Sequence, residues 1–91
     1  MVQPVSWFVK IDYPILEFLQ EHDIPMSPKV VSASIDQDRS YVGQRLRTLR
    51  DADLVVQHEN GLYQLSDLGW EFLAGELSWQ EIEALDPGVE E

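Results

Sequence analysis

The chain has 91 residues, no cysteine, 44% apolar residues including three Trp, three Tyr and three Phe, and a formal net charge of −11. That is enough for one small core, and the lack of cysteine excludes a disulfide framework, a thiolate nucleophile and a Cys-based zinc site. No apolar run approaches the ~20 residues of a membrane span, and the start MVQPVSWFVK lacks a signal-peptide pattern, so a cytoplasmic protein with no membrane contact is expected.

The charge is unevenly spread. Residues 1–50 hold six Lys/Arg and six Asp/Glu, whereas residues 51–91 hold eleven Asp/Glu and no Lys or Arg. Lysine is scarce, at Lys10 and Lys29 alone. An acidic solubility face is one account, and adaptation to high salt is the preferred one. Glu17 and Glu21 repel at i, i+4 in dilute buffer, but at molar salt the screening length falls to ~3 Å.

Residues 1–11 read as an irregular lead-in, with Trp7 and Phe8 lying over the end of the first helix. Asp12 is expected to cap that helix. Pro14 sits in its first turn, Ile15, Leu16, Phe18 and Leu19 form its buried face, and His22 stands at its C-terminus. After the connector Asp23 to Met26, Ser27-Pro28 supplies a cap and an N1 proline for a short helix. Val30, Val31 and Ile35 are its expected core contacts. Asp36-Gln37-Asp38 then forms a tight polar turn.

Asp38 is expected to cap a longer helix that ends at Ala52-Asp53. Val42, Leu46 and Leu49 share its buried stripe at i, i+4 and i+7. The other faces carry Arg39, Arg45, Arg47 and Arg50, and no acidic residue lies between Arg39 and Arg50. A short helix, a tight turn and a longer basic helix make a helix-turn-helix. Beyond it, residues 54–58 and 62–65 have strand character and flank Glu59-Asn60-Gly61. Asn60-Gly61 predicts a type I′ hairpin turn. Ser66 caps a further helix in which Leu68, Phe72 and Trp70 are assigned inward positions, with Gly75 at its end. Ser78-Trp79-Gln80-Glu81 fits a capping box, opening a last helix to about Leu85. Residues 86–91 are expected to be a mobile tail.

Helix, helix, turn, basic helix, hairpin, helix is the order of a winged helix-turn-helix domain. The segments YVGQRLRTLRDADLV and NGLYQLSDLGWEFLAGEL resemble archaeal and bacterial winged-helix regulators. More narrowly they resemble the small phage-repressor-like winged-helix proteins of halophilic archaea. The matching residues are Trp7, Ile15-Leu16-Glu17, Gly61, Tyr63, Leu65, Ser66, Gly69, and Phe72 to Leu77, over roughly residues 7 to 85. The resemblance implies one mostly helical α+β domain over residues 1–91, with a two-stranded wing and C-terminal helices. Three departures stand out: Asp53 where the family often has Gly, Gly43 in the middle of a helix, and a wing, HENGLYQ, without Lys or Arg.

The function expected is sequence-specific binding of double-stranded DNA by a repressor, with helix 39–52 in the major groove. Guanidinium groups pair with guanine or phosphate, and Gln44 can read adenine. Ser40, Tyr41, Gln44, Arg45 and Thr48 form the expected groove-facing set, with Arg39 and Arg47 on the backbone. Lys29 and Ser27, at the start of the preceding helix, are phosphate candidates. Arg50 is expected to pair with an acidic residue or cover core surface. The wing contributes His58, Asn60 and Gly61. A homodimer is expected, with Trp7, Phe8, Trp79, Ile82 and Leu85 as interface candidates that suit capping the monomer's core equally well. The alternative is a winged-helix protein–protein interaction module that does not bind DNA. No enzyme, metal site or cofactor is expected. His22 and His58 lack a ligand cluster or nucleophile, and Glu81 and Glu83 read as solvated.

Overall fold

Four serine or aspartate caps punctuate the chain, and each closes its helix by the same local bond. In the computed structural model, which describes residues 7–86 (Trp79 by its backbone alone), the five helices are α1 (Asp12–Glu21), α2 (Pro28–Ile35), α3 (Arg39–Asp51), α4 (Asp67–Leu73) and α5 (Trp79–Glu83). Ser27, Asp38, Ser66 and Ser78 accept hydrogen bonds from the backbone amides of Val30, Tyr41, Gly69 and Glu81. The bond satisfies an amide that has no partner within its helix. At α5 Glu81 reciprocates on the Ser78 amide, completing the expected capping box.

The core is one cluster. Ile15, Leu16 and Leu19 of α1 meet Val31 of α2 and Val42, Leu46 and Leu49 of α3, all buried. Leu54, Val55, Tyr63 and Leu65 close it from the hairpin side. Strands β1 (Val55–Gln57) and β2 (Tyr63–Leu65) pair antiparallel, Val56 opposite Gln64, and Met26 bridges to Tyr63 on the other edge of β2. The result is the expected mostly helical α+β architecture with a two-stranded wing.

Several expectations change in detail. Asp12 does not cap α1. It is the first helical residue, fully buried, and Ile11 precedes it without a side-chain cap. Val30 is exposed and leaves Val31 as the main core contact of α2. Trp70 points outward, because Gly69 faces the core and the next residue on the helix must turn about 100° away. The hairpin uses a three-residue loop rather than a two-residue type I′ turn. The His58 amide bonds to the Leu62 carbonyl, Gly61 returns its amide to the His58 carbonyl, and only Gly61 in the loop has positive φ. Helix α5 stops at Glu83, with Leu85 half-buried just beyond it.

Trp7 and Phe8, both half-buried, pack against the monomer's core. Phe8 packs 4.6 Å from Trp7, 5.0 Å from Tyr13 and 5.4 Å from Phe72, ring centre to ring centre. Ile82 is buried. The side chain of Trp79, the first six residues of the lead-in and the tail beyond Asp86 lie outside the described residues. Among those described, no helix is long and apolar enough to cross a membrane.

Candidate nucleic-acid interface

Helix α3 presents two unlike sides. Val42, Leu46 and Leu49 face the core, and Gly43 is buried beside them. Opposite them Tyr41 and Gln44 are exposed, Thr48 is half-buried, and Ser40 and Arg47 flank the row on the α2 side. The Thr48 hydroxyl donates to the Gln44 carbonyl at 3.2 Å, leaving its oxygen free to accept. Asp51 is the first carboxylate on this helix, and it lies in the last turn. The N-terminal turns of α3 are therefore cationic and polar, as a helix directed at base edges requires.

The start of α2 adjoins this face. Pro28, Arg39, Ser40, Gly43 and Arg47 line an open concavity of about 410 Å³. Lys29 is exposed at its rim-forming helix. The Ser27 oxygen is engaged with the Val30 amide at 3.2 Å, so its first role is that of a cap. The α2 terminus still offers a cationic side chain and the positive end of the helix dipole to an anion.

Two arginines of α3 are engaged within the protein, and one of them, Arg45, leaves the expected groove-facing set. Arg45 is turned into the protein: its Nε and Nη2 donate to Asp12 Oδ1 and Oδ2 at 3.0 and 2.7 Å, and Nη2 also donates to the Trp7 carbonyl at 3.1 Å. The arginine side chain is 12% exposed and the Asp12 side chain 0%. The Asp12 carboxylate beside it raises the Arg45 pKa further above its already high value. Arg45 is thus withdrawn from the groove-facing set, because a guanidinium so bound would leave a buried carboxylate unpaired if it swung outward. Arg50 donates to Asp51 at 3.1 Å and to Gln57 at 2.6 Å, tying the end of α3 to β1. This agrees with the acidic pairing expected for it.

The place of Arg45 was readable in part. It stands three residues after Val42 and four before Leu49, so it borders the buried stripe, whereas Gln44 and Thr48 lie opposite it. The role of Asp12, 33 positions away in the chain, had no such local signal.

The wing carries no Lys or Arg, and its loop, Glu59-Asn60-Gly61, holds a carboxylate. His58 Nε2 lies 2.9 Å from Gln64 Oε1, and the Asn60 side chain accepts the Leu62 amide at 3.2 Å. The tip groups expected to reach DNA are therefore partly engaged within the hairpin. Gly61 offers backbone only.

The sequence of residues 1–85 matches the family described as winged helix-turn-helix phage repressor. Among solved structures, the chain is similar to the crystal structure of the PhiH1 repressor-like protein from Haloarcula marismortui. The two are 34% identical, with a TM-score of 0.72, over 87% of this chain and 91% of that one. Among curated proteins no sequence match was found.

Proposed function

This chain belongs to the winged helix-turn-helix phage repressor family, and on that premise we propose that it is a sequence-specific repressor that inserts α3 into the major groove of double-stranded DNA. The observation that carries this reading is the outer face of α3. It holds Ser40, Tyr41, Gln44, Arg47 and Thr48, with Arg39 at its start and no carboxylate before Asp51. Gln44 and Thr48 read base edges, while Arg39, Arg47 and Lys29 hold phosphates. Ser27 and the wing residues His58, Asn60 and Gly61 play secondary parts.

A homodimer follows from recognition arithmetic: one α3 spans too few base pairs for useful affinity, and two-fold operators solve this. The protein works in the cytoplasm at high salt. Support comes from the composition of residues 51–91, with eleven Asp/Glu and no Lys or Arg, and from likeness to a protein of a halophilic archaeon. At molar salt the repulsion between these carboxylates and DNA is screened, while the counterion-release gain also shrinks. Direct hydrogen bonds then decide affinity.

The test is a fluorescence-anisotropy titration against genomic DNA fragments in low and in multimolar KCl, with Gln44→Ala/Arg47→Ala as the control. Saturable binding that survives high salt and collapses in the control is the expected result. No difference between the two proteins at any salt rejects the role of α3. The wing without Lys or Arg would then favour a protein-interaction module.

A further inference from the structure

One side chain of α3 is joined to both ends of the described chain. Arg45 holds Asp12, the first residue of α1, by a two-pronged contact, and its Nη2 also reaches the Trp7 carbonyl. The Trp7 indole N–H in turn donates to the Ile82 carbonyl in α5 at 2.9 Å. The Asp12 carboxylate is completed by the Val9 amide at 2.9 Å. No buried side-chain polar atom in the described residues lacks a partner, so the network is closed.

Apolar packing of Val42, Leu46 and Leu49 holds α3 against the core, but the hydrophobic term itself prescribes no bond direction. A paired guanidinium and carboxylate are directional in both distance and plane. Side-chain tips stand about 5–6 Å from a helix axis, so a 20° rotation of α3 moves them by about 2 Å. That is well outside the ~0.5 Å tolerance of a working recognition constellation. From this we infer that Arg45 is a positioning residue for DNA recognition: held by Asp12 and Trp7, it sets the rotation of α3 and couples that setting to the lead-in and to α5.

The inference rests on the reading that α3 contacts DNA, and it is tested with the full chain on a selected binding fragment and on random DNA. The variants are Arg45→Gln, Asp12→Asn, the apolar pair Asp12→Leu/Arg45→Met, and Leu68→Ala in α4 as a destabilised control. All are measured well below their melting temperatures. Arg45→Gln and Asp12→Asn should each weaken binding to the selected fragment about tenfold, the size of one lost base contact. Binding to random DNA and the salt slope should be unchanged, and Leu68→Ala should bind normally. The apolar pair, which can recover stability without a directional contact, should recover melting temperature but not discrimination.

Three results overturn the inference. If Asp12→Asn binds as well or better while Arg45→Gln lowers the salt slope by about 0.9, Arg45 touches phosphate itself. If the apolar pair restores discrimination, or Leu68→Ala loses it equally, the network serves stability alone. If the wild type binds no DNA, the functional reading fails, and the coupling is then judged by exchange of the Trp7 indole proton. Arg45→Gln should accelerate that exchange more than Leu68→Ala does, and equal rates reject the coupling.

Discussion

The carboxylate of Asp12 and the guanidinium of Arg45 meet at 2.7 and 3.0 Å although 33 positions separate them, with the carboxylate fully buried and the arginine side chain nearly so. Each charge makes the other's burial tolerable. Removing one leaves an uncompensated ion in the core, at a cost of about 3–5 kcal/mol. Arg45→Ala and Asp12→Ala are therefore expected to lower the unfolding free energy by that much, against about 0–1 kcal/mol for Arg50→Ala at its exposed pair. Urea denaturation at fixed salt measures both. Equal small losses would mean that the buried pair is not formed in solution.

Tyr13 supplies a pH dependence. Burial raises its pKa above 10, and the negative charge of Asp12 adds to the effect. A phenol whose folded pKa is raised contributes stability that is present in full below its ordinary value and lost as pH climbs through the folded one. Wild type and Tyr13→Phe should thus lose stability in parallel up to about pH 9, and wild type should fall faster above about pH 10. Urea midpoints across pH 8 to 11.5 check this, and parallel curves throughout would contradict it.

Two glycines should respond oppositely to alanine. At Gly69 a methyl group would collide with the Leu54 carbonyl and the Leu65 side chain. Backbone must shift there, so Gly69→Ala should cost about 1–3 kcal/mol or more. At Gly43 a methyl would meet only Arg47 Nη1 at 3.7 Å and Pro28 Cβ at 3.9 Å, ordinary contact distances. Gly43→Ala should therefore stabilise by about 1 kcal/mol, the helix-propensity difference. Thermal melts of the pair decide. A destabilised Gly43→Ala would mean that α2 and α3 pack more closely than these distances allow.

The link out of α3 passes through Asp53, which takes a left-handed conformation at φ +67°. An L residue there is strained, aspartate less than most. Asp53→Gly should be neutral or stabilising by about 0.5 kcal/mol, whereas Asp53→Ala should cost about 1 kcal/mol. Calorimetry on both variants separates backbone strain from loss of the side chain. A loss in the glycine variant equal to that in alanine would assign the effect to the carboxylate.

What could be read without coordinates is what depends on neighbours along the chain. Caps at Ser27, Asp38, Ser66 and Ser78 bond to amides three residues away, so their residue types suffice to mark helix starts. The stripe of Val42, Leu46 and Leu49 follows from the 3.6-residue period, and its polar opposite face follows with it. Those features point to a helix-turn-helix and to most of the outer face of α3. The hairpin was legible too, though its loop was not, since one residue of register depends on how β1 and β2 twist together. Asp12 carried a misleading local signal: an acidic residue at a helix start reads as a cap, yet this one is folded inward.

The sequence by itself determined the elements, their order and the face of α3 that is free of carboxylates, because periodicity and capping are local properties. Only the tertiary structure decided which arginines remain free. Arg45 and Arg47 are the same residue type on the same helix. One is consumed by a carboxylate from α1 and the other is left facing outward beside Pro28, because a buried charge must find its partner wherever the packed helices bring one within reach.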